Sequence, residues 1–153
     1  ATSLEHLQTL IARTIAQNGY QADLNCIDVS AIEDMRALFF HKAVVDGETV
    51  DLKKFQGDMS QWDTSNVKRM ATMFRDCEYN GDIAKWDVRN VEDMSAMFSG
   101  SACRVDISRW QTPSLRDTSK TLNASNVTIK ATESELRFCF LVGNLAINAS
   151  VFF

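Results

Sequence analysis

Asp58, Asp82 and Asp106 stand 24 residues apart, and Asp63 and Asp87 keep the same interval. Carboxylates set in a row by such spacing could chelate a hard cation, present an anionic face to a partner, or hold local turns by accepting backbone N–H groups. Like charges stacked side by side are costly unless each carboxylate is hydrogen-bonded, so turn and cap duty is the leading reading. The sequence has neither the D-x-D-x-D-G loop of calcium sites nor a G-G-x-G-x-D nonapeptide, which leaves calcium binding a minor reading.

Nucleophiles and soft ligands are sparse. Cys26, Cys77, Cys103 and Cys139 form no C-x-x-C pair, and His6 and His41 lie far apart in the chain. A zinc site would have to be assembled from unrelated positions, so the thiols read as free and largely buried, and neither a metal nor a cofactor is expected. A Cys77–Cys103 disulfide is a minority alternative. No Ser or Cys motif, phosphate loop or acid–base pair joins the histidines, and no catalytic residue is assigned; the chain does not read as an enzyme.

The aspartates belong to a larger pattern that must position them. An 18-residue phrase runs from Gly57 to Phe74 (GDMSQWDTSNVKRMATMF) and again from Gly81 to Phe98 (GDIAKWDVRNVEDMSAMF). Looser copies run from Ala22 to Phe39 and from Val105 to Leu122. Fixed-period self-similarity predicts a solenoid. Apolar columns recur through it: Ile27, Trp62, Trp86 and Trp110; Met35, Met70 and Met94; Phe39, Phe74 and Phe98. Their recurrence once per copy favours a shared core over an aromatic ligand platform or a cofactor box. The spacing Val67, Met70, Met73, Phe74 predicts a short helix, with Ser65 or Asn66 as N-cap, and alternating Trp86 and Val88 predict a short strand before it. Glu33, Lys68, Glu92 and Arg116 share a column of alternating sign that favours pairing between neighbouring copies.

These elements predict an α/β repeat solenoid, with a short strand and a short helix per coil, in one domain covering residues 1–153. Leu4, Leu7, Ile11 and Ile15 place an amphipathic helix over Thr2 to Gln17, capped by Thr2 and Glu5, and residues 1–19 form the N-terminal cap. Four repeats occupy 20–122. An insertion at 41–51 predicts a hairpin that projects from the stack on an Asp46-Gly47 turn. Residues 123–153 alternate in polarity around Gly143-Asn144, which predicts an antiparallel β-hairpin or small sheet as the C-terminal cap.

A formal charge of -4 and a pI near 5.1, without clustered Lys or Arg, argue against direct nucleic-acid binding. No apolar run approaches the about 18 residues of a membrane span, so no membrane association is expected. The chain as given is compatible with the cytoplasm, and with secretion or the cell surface if a leader has been removed.

The phrase in residues 57–74 and 81–98 resembles the BspA-like, mycoplasmal-lipoprotein type of bacterial leucine-rich-repeat variant, and the resemblance covers residues 20 to about 122. It implies a right-handed repeat fold used for noncatalytic binding, often on bacterial surfaces. The expected function is therefore a noncatalytic protein–protein interaction module: a small stand-alone inhibitor or effector, for example of the phage or mobile-element anti-CRISPR type. The alternative is a fragment of a bacterial surface adhesin or host-recognition repeat protein. Candidate partner-binding residues are Val45, Asp46, Gly47 and Glu48 on the insertion and Asp58, Asp82 and Asp106 in the first aspartate column. The C-terminal strands either cap the stack alone or also pair two molecules, with Ile147, Val151 and Phe153 at the dimer edge.

Overall fold

The computed structural model describes residues 1–117, 119, 128–130 and 150–152. Helix α1 runs Leu4–Asn18 and turns Leu7, Ile11, Ala12 and Ile15 into the core. Its N-cap is Ser3, whose hydroxyl accepts the His6 N–H at 3.1 Å, one residue later than the sequence suggests. The Thr2 hydroxyl is engaged with His6 Nδ1 instead, at 3.2 Å. Gly19, at φ 80°, ends the helix and returns its N–H to the Ile15 carbonyl.

The insertion folds as the Asp-Gly pair dictates. Strands β1 (Lys42–Val45) and β2 (Glu48–Asp51) pair antiparallel with Val45 opposite Glu48. Asp46 and Gly47 sit at φ 51° and 84°, the two successive positive values of a type I′ turn. The hairpin does not stand clear of the body at its base. Val50 is buried, and the Asp51 N–H donates to the Tyr20 hydroxyl at 3.2 Å. A 3-10 turn, Leu52–Lys54, leads back into the core.

The α/β repeat solenoid is corrected. Among the described residues α1 is the only α-helix, and the copies of the phrase carry neither the expected short helix nor the regular short strand; this is not a leucine-rich-repeat architecture. The cause lies in where the backbone N–H groups go. Met70, Thr72 and Phe74 donate sideways to the carbonyls of Asp93, Ser95 and Met97, at 2.8, 2.9 and 2.9 Å, and Met94 and Ala96 donate onward to Asp117 and Ser119. N–H groups spent between copies cannot close i→i−4 bonds. Ala37, Thr72 and Ala96, at equivalent positions, take φ of 54°, 56° and 52°, which breaks any helix there. Asn66 caps no helix: its Nδ2 donates to the Ser30 carbonyl at 2.8 Å, as Asn90 Nδ2 does to Ser65 at 2.7 Å.

Irregular turns joined by isolated parallel bridges take the place of strands and helices: Asp23 to Asp58, and Asp34 to Arg69 to Asp93 to Asp117. Equivalent apolar residues lie against each other in one core cluster. The Phe39, Phe74 and Phe98 rings stack at 5.5 and 5.7 Å, and Trp62 stacks on Trp86 at 6.0 Å.

The C-terminal antiparallel sheet is corrected as well. Strands β3 (Arg104–Asp106), β4 (Thr128–Lys130) and β5 (Ser150–Phe152) form one sheet in that order, and both pairings are parallel. Stretches of 21 and 19 residues separate these strands, ample for the crossover that parallel neighbours need. The Gly143-Asn144 turn lies outside the described residues.

Candidate functional site

The hairpin tip is held by its own turn. Asp46, Gly47 and Glu48 are exposed and Val45 is half-buried. Strand alternation turns Val44 outward, and at 73 % exposure it is the exposed large apolar side chain among the described residues. Sequence reasoning placed Val44 in the hairpin but not among the candidate contact residues. The strict alternation of β1 was the signal that could have found it.

Asp58, Asp82 and Asp106 each accept an N–H two residues on, from Ser60, Ala84 and Ser108 at 2.8, 2.9 and 2.9 Å. Asp23 does the same for Asn25 at 2.8 Å. A second row repeats the device, with Asp28, Asp63 and Asp87 accepting from Ser30, Ser65 and Arg89. In one aspartate of each row the turn bond stabilises the ionised form: the Ser60 N–H holds the Asp58 carboxyl below its usual range, and the Ser65 side chain does so first for Asp63. Among the described residues no three His, Cys, Asp or Glu side chains gather as a metal site.

Of the expected charge column, Lys68 reaches Glu33 at 2.9 Å. The neighbouring position is also paired, with Arg69 at 3.2 Å from Asp34, whose second partner Arg36 lies at 2.8 Å. The aspartate row itself is not uniformly acidic. Around Asp82 and Asp106 lie Lys85, Arg104 and Arg109, which line two adjoining surface concavities of about 390 and 500 Å³ together with Arg89. Sequence reasoning missed these cations because they are dispersed along the chain and converge only when the turns stack.

Cys26 is exposed, whereas Cys77 and Cys103 are buried, and all three are free thiols. Burial pushes the Cys103 thiol up to about 11 and raises Cys77 as well. Cys139, Ile147 and Phe153 lie outside the described residues. Val151 lies in β5, on the sheet, opposite Ile129. His6 is on α1 and His41 precedes β1.

A family model described as "Mycoplasma protein of unknown function, DUF285" matches residues 9–134. No curated protein and no solved structure matches the chain. No helix among the described residues is long and apolar enough to cross a membrane.

Proposed function

The chain belongs to this Mycoplasma protein family, and we propose that it acts as a noncatalytic protein–protein interaction module whose contact point is the β1–β2 hairpin tip. The observation that carries the reading is Val44: a large apolar side chain held 73 % exposed on a hairpin whose geometry a type I′ turn fixes in advance. A preorganised apolar anchor flanked by Asp46 and Glu48 loses little entropy on docking, which is how small contact surfaces gain affinity. The module acts as a small inhibitor or effector by occupying its partner's surface. Cations interleaved among Asp82 and Asp106 favour a mixed-charge protein surface over mimicry of a nucleic acid.

The test is affinity capture from lysate of the native host, comparing the intact chain with Val44→Asp and with a variant lacking residues 44–50. A partner held by the intact chain and released by both variants supports the reading. Capture that both variants retain, or no captured partner, overturns it.

A second reading, a fragment of a surface adhesin of the BspA-like type, draws support from the match to Mycoplasma proteins. Protease treatment of intact cells separates the two: loss of the protein to external protease supports the adhesin, and full protection removes it.

A further inference from the structure

We propose that the groove across the Trp86 and Trp110 turns binds an acidic peptide segment of a partner protein, with Lys85, Arg104 and Arg109 holding its carboxylates. The two concavities share Ala84, Lys85 and Arg109 and are therefore one continuous groove. None of the three cations enters an ion pair among the described residues, whereas Arg89 at the groove's margin is tied to Asp87 at 2.6 Å.

The internal copies of the phrase supply a comparison within one chain. The position before the large apolar residue of the turn is Cys26, then Gln61, then Lys85, then Arg109. The position two residues before the aspartate is Gln21, Gln56, Asn80 and Arg104. The groups that hold the turn persist through all four copies: the aspartate, its bond to the N–H two residues on, and the apolar residue after it, buried at Leu24, Met59 and Ile83 and half-buried at Ile107. The turn therefore forms without a cation at either position. Both positions nevertheless become basic toward the end of the row, and the new charges fall in one groove. Gln56 and Asn80 use their side chains to bond the next copy, the Asn80 Oδ1 accepting the Arg104 N–H at 3.0 Å. The guanidinium of Arg104 has no such described duty.

An anionic ligand fits three cations that enter no ion pair among the described residues, and the carboxylates already present narrow its kind. Asp82 and Asp106 lie between the cations, so a continuous phosphate backbone would meet repulsion at each. An extended peptide presents side chains at alternate positions and leaves backbone N–H groups that can approach Asp82. The inference rests on the interaction reading only in taking a protein as partner, and it concerns a different surface from Val44.

The experiment measures binding of a fluorescein-labelled peptide of alternating Glu and Gly to the purified full chain, beside the same peptide with Gln for Glu and a single-stranded oligonucleotide. The test variant carries Lys85→Gln, Arg104→Asn and Arg109→Gln, residues that earlier copies hold at those positions. The Glu peptide is expected to bind in preference to both controls and to weaken at least about tenfold in the variant, because each exposed pair contributes modestly and three are removed. Should the triple variant unfold, Gln61→Lys extends the cationic row in an otherwise intact chain and is expected to tighten the Glu peptide severalfold. Binding that ignores these substitutions, tighter binding of the oligonucleotide, or no binding of the Glu peptide overturns the proposal. The readout uses purified protein and peptide, so it succeeds or fails independently of capture through Val44.

Discussion

The indole rings of Trp62 and Trp86 lie 6.0 Å apart and within 9° of parallel, and each reaches backward with its N–H. Trp62 Nε1 donates to the Leu24 carbonyl at 2.9 Å, Trp86 to Met59 at 3.1 Å and Trp110 to Ile83 at 3.0 Å. The indole thus fills the core and satisfies a carbonyl of the preceding copy, two tasks a smaller ring cannot combine. Trp86→Ala is expected to destabilise the protein by about 3–5 kcal/mol. Trp86→Phe keeps ring stacking but removes one of the two N–H groups that the Met59 carbonyl accepts, the Trp62 backbone N–H at 3.3 Å remaining, with an expected loss of about 0.5–1.5 kcal/mol. Urea unfolding followed by circular dichroism measures both. A Trp86→Phe variant as stable as the intact chain would show that the N–H contributes nothing.

Two glycines separate backbone strain from steric exclusion. Gly47 takes φ 84° with open space around it, so Gly47→Ala meets only the left-handed conformation and is expected to lose about 1–2 kcal/mol. Gly57 is buried, and a Cβ there would overlap the Ala22 carbonyl oxygen and the Phe55 ring. Backbone cannot yield as a flexible side chain can, so Gly57→Ala is expected to cost more, about 3 kcal/mol or beyond. Thermal unfolding of the two variants checks the order. The reverse order would mean that the Gly57 contact relaxes freely.

Much of the molecule can be read in its residues because some signals are local. The 3-to-4-residue spacing of Leu4, Leu7, Ile11 and Ile15 marks α1, and Asp46-Gly47 marks the hairpin turn. The helical spacing of Val67, Met70, Met73 and Phe74 misleads because Thr72 adopts φ 56° without being Gly or Asn, and only the bond from its N–H to Ser95 on the neighbouring copy makes that conformation worthwhile. Alternation in the C-terminal segment announces strands but not their partners, and the parallel register of β4 between β3 and β5 depends on chain paths that no local pattern records. The candidate site divides in the same way. The hairpin tip is visible in one short stretch, while Lys85, Arg104 and Arg109 become a groove only through stacking.

Thiol reactivity should follow burial. Cys103, at about 11, holds roughly one thiolate in a thousand at pH 8, and Cys77 is raised by the same desolvation. Cys103 also donates from its Sγ to the Cys77 carbonyl at 3.6 Å. Iodoacetamide at pH 8 followed by peptide mass mapping is expected to modify exposed Cys26 within minutes and to leave Cys77 and Cys103 unmodified until denaturant is added. Rapid native labelling at Cys103 would show that the interior opens locally.

Acid should weaken the fold through its turns. Asp58 is lowered chiefly by the Ser60 N–H, Asp63 by the Ser65 side chain, Asp117 by the Ser119 N–H and Asp87 by the Arg89 side chain. Each carboxyl titrates lower in the native chain than its unfolded value of about 3.9, so the unfolded chain binds protons first as pH falls. The stability these carboxylates supply is fully present above about pH 5 and is lost as pH drops through the unfolded and then the native values. Solvent screens each site, so single contributions stay below about 1 kcal/mol and the effect comes from the rows together. The thermal midpoint is expected to be unchanged by these groups between pH 5 and 7 and to fall progressively from about pH 4 downward. Replacing Asp58, Asp63 and Asp117 together by Asn keeps a side-chain oxygen to accept the turn N–H and removes the titration. That variant is expected to start less stable at pH 7 and to show a shallower acid slope, and an unaltered slope would place the acid sensitivity elsewhere.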